Sequence, residues 1–285
     1  MLQAAVQALT KVIERAAGLD GLAGSVSKLL DPLIRPPLVR KLLSGTWWGH
    51  RLHPAAVTVP IGAWTGAATL DLLGDERGEY GADAMVTLGL VASLPSALSG
   101  ASDWVDTYGE SKRVGLVHAT LNTAALGLYG ASLVARLAGR RKAGRTLAYA
   151  GLGTVAASSW LGGHMSYVQG VGIDRRAFQH LPGDWSAALP ESELADDAPA
   201  KVTVDGAEVL LYRSGGRLYA LSNTCGHEGG PLNEGTFEGG CVVCPWHGST
   251  FRLADGIVER APASAPQPVL DTRVSNGMIE VRART

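Results

Sequence analysis

Hydrophobic and polar residues follow three different patterns along the chain, and each pattern predicts a different kind of element. Residues 2–35 place apolar side chains at helical spacing among charged ones, from Leu2 and Val6 to Leu29 and Leu30. This spacing predicts one or two amphipathic helices. It leaves open whether their apolar face meets a membrane surface or packs on a partner.

The second pattern is a series of four long apolar stretches. They run over residues 54–74, 84–102, 114–137 and 146–168. Each is close to the roughly 20 residues that cross a bilayer, and the fourth is rich in the small residues that favour close helix packing in lipid. Charged residues make up 18% of the chain, below the roughly 25% of soluble domains. We therefore predict an all-α four-helix transmembrane bundle in a multi-pass protein of the cell membrane.

The third pattern begins after the last apolar stretch. Residues 170–199 are polar and contain prolines, which predicts a linker. Beyond them, short runs of β-branched and aromatic residues alternate with hairpin signals such as Asp205-Gly206 and Asn276-Gly277, as expected of a small all-β domain. The predicted order is an amphipathic helical region at 1–44, the bundle at 45–169, the linker at 170–199 and the β domain at 200–285.

Candidate chemistry is concentrated in the β domain. The three cysteines, Cys225, Cys241 and Cys244, all lie within twenty residues, which indicates a metal site rather than a disulfide framework. His227 and His247 complete a C-x-H, sixteen-residue, C-x-x-H arrangement. Two thiolates and two imidazoles suit a 2Fe–2S cluster or a structural zinc ion, and the tight C-x-H spacing favours the cluster. Cys241 is predicted to be a buried thiol on a strand.

These residues resemble the Rieske 2Fe–2S family, and the resemblance covers residues 184–285. It implies that Cys225 and Cys244 hold the buried iron of the cluster. It further implies that His227 and His247 hold the outer iron, with exposed ring edges that pass electrons to a redox partner protein. Rieske centres with this ligand set span reduction potentials of roughly −150 to +300 mV.

Departures from the Rieske pattern refine this expectation. Gly230 and Trp246 stand where Rieske proteins of cytochrome bc complexes have an additional disulfide. Ser249 is present and can donate a hydrogen bond toward a bridging sulfur, whereas Phe251 replaces a tyrosine that would donate another. Fewer donors predict a potential below that of the bc-type proteins, as in the ferredoxin and nitrite-reductase-small-subunit branch. Residues 261–268 correspond to the proline-bearing loop that covers the cluster.

The membrane half, about residues 45–173, resembles an uncharacterised bacterial family of four-helix membrane domains. The resemblance rests on His53-Pro54, on Val59 to Trp64 and on Trp160 to His164. It implies only topology, because the family carries no agreed activity.

An up-and-down bundle places His53, His118 and His164 at one end, and intramembrane ionisable groups are costly and usually functional. Three uses stay open: axial ligation of a haem b by His118 and His164, a quinone pocket built from the same histidines, or structural hydrogen bonds. Asp71 and Asp83 fall at the opposite end, where we expect solvated helix ends.

The combined expectation is a membrane-anchored Rieske protein that carries single electrons between a donor and an acceptor at the lipid bilayer. Alternatives are an electron-donor subunit of an oxygenase and a non-catalytic redox sensor. The 38 residues after His247 leave no room for a complete oxygenase. A net charge of −1 gives no reason to expect nucleic acid as a partner. The missing extra disulfide and the absence of an export signal favour a cytoplasmic Rieske domain.

Overall fold

A computed structural model describes the backbone of residues 2–284 and the side chains of residues 7–284, so the predicted apolar positions Leu2 and Val6 lie outside the described side chains. The chain forms two compact units. The helical unit comprises Met1–Val39 and Leu52–Val171, and the β unit comprises Arg40–Arg51 and Gly172–Thr285. Helices followed by a β-rich domain confirm the predicted fold class.

The helical unit contains short N-terminal helices followed by four longer ones. Its helices, including α3 at the boundary between the units, are α1 Leu2–Arg15, α2 Asp20–Ile34, α3 Pro37–Leu43, α4 His53–Ala56, α5 Thr58–Leu73, α6 Glu76–Trp104, α7 Gly109–Leu137 and α8 Arg141–Tyr167. The most extensive packing is between α5 and α6 and between α7 and α8, and α6 on α7 and α5 on α8 close the bundle. Both α1 and α2 pack on α7, although Leu29 and Leu33 of α2 remain exposed.

The bundle has an aromatic centre. The rings of Trp64 on α5 and Tyr129 on α7 stack with centroids 4.2 Å apart and planes 7° apart. Glycines on the neighbouring helices make this approach feasible, because a Cβ on Gly151 would lie 2.8 Å from the Tyr129 ring and one on Gly89 would overlap Trp64. The small residues of these helices therefore serve close packing, as the sequence predicts for the last helix.

Within the described residues, two helical stretches have the length and apolar character of a membrane span. These are His53–Leu73, with 21 residues, and Glu76–Trp104, with 29 residues. Helices α7 and α8 are of similar length, with 29 and 27 residues. They are less apolar, because α7 carries His118 and Asn122 in its interior and α8 begins with arginines. Membrane crossing by all four helices therefore remains a prediction.

The β unit consists of two antiparallel sheets. Its strands are β1 Ser186–Pro190, β2 Ala200–Val204, β3 Ala207–Ser214, β4 Arg217–Ser222, β5 Thr236–Glu238, β6 Cys241–Val243, β7 Thr250–Arg252, β8 Val258–Arg260, β9 Val269–Ser275 and β10 Met278–Ala283. The larger sheet has the order β1-β10-β9-β4-β3-β2 and the smaller one β5-β6-β7-β8. The predicted linker 170–199 contains β1, which pairs with β10.

Two apolar cores support the β unit. One contains Val209, Leu211 and Ile279 of the larger sheet, and the other surrounds Phe251 of the smaller sheet and includes Cys225 and Cys244. The cysteines are thus anchored in the core that supports the smaller sheet.

Candidate metal centre

The first cysteine lies in the loop of residues 223–231, between β4 and β5. The amide of Cys225 donates to the carbonyl of Gly230 at 2.9 Å, and the amide of Gly229 donates back to the carbonyl of Cys225 at 2.9 Å. Gly229 has a φ of 87°, in the left-handed region that favours glycine. The reciprocal bonds form a tight loop that presents the thiol at its start and His227 at its tip.

The second loop, residues 244–249 between β6 and β7, repeats this construction. The amide of Cys244 donates to the carbonyl of Ser249 at 2.8 Å, and the amide of Gly248 donates to the carbonyl of Cys244 at 3.1 Å. Gly248 has a φ of 73° and so matches Gly229 of the first loop. Each loop therefore holds one cysteine and one histidine in nearly the same local geometry.

The two thiols lie side by side in the core. Both are buried, and the Cys225 thiol donates a hydrogen bond to the Cys244 sulfur. This bond, together with the amides of Trp246 and His247, lowers the pKa of Cys244 to about 6 against the effect of burial. The same hydrogen bond and burial raise the pKa of Cys225. Backbone amides that point at a sulfur also stabilise a metal-bound thiolate.

The two histidines face each other across the loops. The His227 and His247 ring centroids are 4.9 Å apart, with the rings at 86° to one another. Burial is the largest cause that lowers the pKa of His227, and the positive charge of Arg51 is the next; the pKa falls to about 2. The ring is therefore neutral, which is the form that binds a metal.

These residues fit a 2Fe–2S cluster. Two thiols and two imidazoles each form an adjacent pair, and each iron of a Rieske cluster takes one such pair. A Cβ on Gly230 would lie 2.7 Å from the Cys244 sulfur and 3.1 Å from the Trp246 ring, so glycine is required beside the thiol. Across residues 7–284, no three His, Cys, Asp or Glu side chains form a site for a metal ion. A binuclear cluster needs only two protein ligands per iron.

The proline-bearing loop is tied to the second cysteine loop. The Ser249 Oγ accepts a hydrogen bond from the amide of Ala263 at 2.9 Å. The carbonyl of Ala263 in turn accepts one from the Thr46 hydroxyl at 2.9 Å. Because the Ser249 oxygen is the acceptor, its own hydrogen remains available to another acceptor.

Arginines from outside both loops also reach the site, which the sequence did not indicate. Arg51 Nη2 lies 3.4 Å from the carbonyl oxygen of His227 and 3.3 Å from the Glu228 carboxylate. Arg175 pairs with the other carboxylate oxygen of Glu228 at 3.0 Å. Arg51 and Glu228 are 177 positions apart, so no local sequence signal could have identified this contact.

Two expectations for this site need correction. His227 is only 4% exposed, so its ring edge is buried rather than open to a partner; His247 is half-buried and the adjacent Trp246 is 56% exposed. Cys241 lies on β6 as predicted, but its side chain is half-buried rather than buried, because the strand begins at this residue, directly after the turn at Gly239.

Two of the three candidate histidines of the helical unit have equivalent environments. His53 Nδ1 lies 2.9 Å from the Ser96 carbonyl on α6, and His118 Nδ1 lies 2.8 Å from the Ser158 carbonyl on α8. Asn122 Nδ2 lies 3.1 Å from His118 Nε2.

His164 belongs to a different part of the helical unit. Its Nε2 lies 2.8 Å from the carboxylate of Glu14 on α1. Gln169 donates to the same carboxylate oxygen at 3.0 Å. The predicted pairing of His118 with His164 in one haem site therefore has no support in these contacts.

The prediction that Asp71 is a solvated helix end is wrong. Asp71 and Arg136 are both fully buried and form a two-point ion pair between α5 and α7. Arg136 also reaches Asp83 at 3.2 Å, and Asp83 pairs with Arg141. A fully buried, ionised carboxylate is tolerated only because a cation lies against it.

A small two-sheet domain with two cysteines and two histidines on paired loops defines a Rieske-type iron–sulfur protein. The chain belongs to this family: the model of the Rieske [2Fe-2S] domain matches residues 184–273. The preceding residues 49–175 match a second family, described as a predicted membrane protein (DUF2231).

Similar proteins include ferredoxins and ferredoxin subunits of dioxygenases. The chain is 35% identical to Ferredoxin CarAc of Metapseudomonas resinovorans over 34% of this chain and 92% of that protein. It is 31% identical to the ferredoxin subunit of anthranilate 1,2-dioxygenase of Burkholderia cepacia, over 34% of this chain and 91% of that subunit. The solved ferredoxin of carbazole 1,9a-dioxygenase from Nocardioides aromaticivorans IC177 is 29% identical, covering 36% of this chain and 100% of that one, with a TM-score of 0.34. The β unit is therefore an electron-transfer domain.

Proposed function

We propose that the protein is a membrane-anchored Rieske-type carrier of single electrons, with Cys225 and Cys244 on one iron and His227 and His247 on the other. The observation that carries this proposal is the pairing of two like-built loops, which bring thiol beside thiol and imidazole beside imidazole. When bound, the 2Fe–2S cluster supplies a one-electron couple.

The protein's own residues hold the cluster and determine where a redox partner can approach it. Amides of Trp246 and His247 direct hydrogen bonds to the Cys244 sulfur, where negative charge accumulates. The apolar core around Phe251 excludes water from the thiol pair. The half-buried His247 beside the exposed Trp246 is then the contact point for a partner, since His227 is buried.

Membrane anchoring rests on the helical unit. The apolar windows of His53–Leu73 and Glu76–Trp104 are each only 28% buried within the protein, whereas the core helix of a soluble protein is mostly buried. The match of this region to a predicted membrane protein family supports the same conclusion. We propose that all four long helices, α5 to α8, cross the bilayer and that the cluster faces the cytoplasm.

A second candidate function is electron supply to an oxygenase. It is favoured by the similarity to ferredoxin components of dioxygenases, which the chain covers almost completely. The two proposals differ in the electron acceptor, a membrane component in the first and a soluble oxygenase in the second. Failure of the reduced protein to pass electrons to either would leave the redox-sensor alternative.

The test is performed on the full chain purified in detergent. Low-temperature EPR after dithionite reduction should give a Rieske-type signal that His247→Cys abolishes and the exposed control His180→Cys retains. Stoichiometric zinc without iron, or an unchanged signal in His247→Cys, would refute the cluster assignment.

Separate experiments test the membrane part of the proposal. Resistance of the protein to alkaline extraction from membranes checks anchoring. Protection of the β unit from protease in sealed right-side-out vesicles checks that the cluster faces the cytoplasm. Release of the protein at alkaline pH, or cleavage of the β unit in intact vesicles, would contradict the corresponding statement.

A further inference from the structure

The four long helices, together with α4, form two hairpins that place related or complementary residues at corresponding positions. In the first arm of each hairpin, formed by α4 and α5 in one case and by α7 in the other, three pairs of corresponding positions are separated by a constant 65 residues. These pairs are His53 and His118, Trp64 and Tyr129, and Asp71 and Arg136. In the second helices, three further pairs recur with an offset of 62 positions. These pairs are Gly89 and Gly151, Ser96 and Ser158, and Gly100 and Gly162.

The matched positions have matched contacts. Trp64 stacks on Tyr129 and Asp71 pairs with Arg136, so these pairs meet across the bundle between α5 and α7. The glycines of the second helices lie against the same partners in each hairpin, because a Cβ on Gly100 would lie 2.7 Å from His53 and one on Gly162 would lie 3.2 Å from His118. The bundle is thus an internal duplication with an approximate two-fold axis along the helices, as in parallel-repeat membrane proteins.

This symmetry locates the two histidines. Helices α4 and α5 together form one helical stretch, His53–Leu73. Eleven residues are about three helical turns, so His53 lies on the same face of that stretch as Trp64, and His118 lies on the same face of α7 as Tyr129. Because Trp64 and Tyr129 meet at the centre, the histidines face the same axis about 16 Å further along it. The corresponding positions therefore form three levels along the bundle: the ion pair, the aromatic stack, and a level that holds both histidines, each against the second helix of its own hairpin.

The hydrogen bonds fix the tautomer of both histidines. Each Nδ1 lies within 2.9 Å of a backbone carbonyl, that of Ser96 or Ser158, and a carbonyl only accepts hydrogen bonds. Nδ1 therefore carries the proton and Nε2 the lone pair. A histidine that donates Nδ1–H to a carbonyl and directs Nε2 elsewhere has the usual arrangement of a metal ligand.

We propose that His53 and His118 are the two axial ligands of a haem iron in the bundle; the proposal rests on the function as an electron carrier and adds a second one-electron centre. Two imidazoles are too few for a bare metal ion, and residues 7–284 offer no group of three ligand side chains. A porphyrin brings four nitrogen ligands of its own, so two axial imidazoles complete its iron. Asn122, which donates to His118 Nε2, must turn away when the iron binds.

The test is a haemin titration of the full chain in detergent, combined with pyridine haemochrome analysis of the protein as purified. We expect one haem per chain. His53→Gln and His118→Gln should each weaken haemin binding at least tenfold, since glutamine can still donate to the carbonyl but does not bind iron. The matched control, His164→Gln, should bind haemin as the parent does.

Two results would overturn the proposal: no saturable haemin binding by the parent, or parental binding by both His53→Gln and His118→Gln. The Rieske EPR signal is recorded on the same samples. If the parent protein gives the Rieske EPR signal but binds no haemin, the haem site alone is refuted. If the parent protein gives no Rieske EPR signal, the proposed function is refuted. Retention of the EPR signal in the variants shows that their β unit is folded, and a helical circular-dichroism spectrum equal to that of the parent shows that their bundle is folded.

Discussion

Ser249 offers a direct test of how the protein sets its reduction potential. Its side chain is fully buried directly after the second cluster loop, and its oxygen accepts the Ala263 amide, so the hydroxyl hydrogen is directed elsewhere. We predict that this hydrogen is donated to a sulfur of the cluster. Ser249→Ala removes the donor and should lower the potential, because the reduced cluster carries more negative charge.

The size of the effect follows from the strength of one such bond. A hydrogen bond to a charged group contributes about 1.5–3 kcal/mol. For a one-electron couple, about 1.4 kcal/mol corresponds to about 59 mV. The expected decrease is therefore roughly 65–130 mV if the bond forms fully in the reduced state only, and proportionally less if the oxidised cluster shares it.

The assay is an EPR-monitored redox titration of the full chain, compared with Ser222→Ala as control. Ser222 is equally buried, but its hydroxyl donates to Gln179 at 2.6 Å. A shift below about 20 mV in Ser249→Ala, with an intact cluster signal, would refute the predicted bond. A shift of equal size in Ser222→Ala would show that the change comes from general loosening of the domain.

Further predictions concern the charged groups. Arg51→Gln should lower the potential by roughly a few tens of millivolts, because it removes a positive charge that lies against the first cluster loop and favours the more negative reduced cluster. Glu228→Gln should raise it, and shifts of the same sign in a voltammetric comparison would contradict the electrostatic argument. In the bundle, Arg136→Met should lower the free energy of unfolding by about 3–5 kcal/mol, because it leaves Asp71 buried without its main cation. The double variant Asp71→Leu/Arg136→Met should regain most of that loss in denaturant titrations, and strictly additive losses would contradict it.

The sequence was most informative where the chemistry is local. The cluster motif lies on two short loops, and glycines at positions 229 and 248 indicate the left-handed turns that the structure contains. The hairpin signals Asp205-Gly206 and Asn276-Gly277 fall between β2 and β3 and between β9 and β10. Such features depend on neighbouring residues only, so periodicity and turn chemistry predict them.

Interactions between distant segments could not be predicted in the same way. The contact of Arg51 with Glu228 joins residues 177 positions apart, and nothing near either residue marks it. The burial of Asp71 depends on Arg136 of another helix. In the sequence, a charged residue near the end of an apolar stretch gives the same pattern whether it is solvated by water or paired with an arginine. Strand β1 was overlooked because its partner β10 lies at the other end of the domain.

The division of the chain has a practical consequence for work on the isolated β unit. The polypeptide passes from one unit to the other after Val39, after Arg51 and again after Val171, so the β unit is discontinuous in sequence. A fragment that begins at Gly172 would lack both Thr46 and Arg51, and with them two contacts to the cluster loops and the proline-bearing loop. Biophysical work on the isolated β unit therefore has to supply residues 40–51 as well as the segment from Gly172 onward.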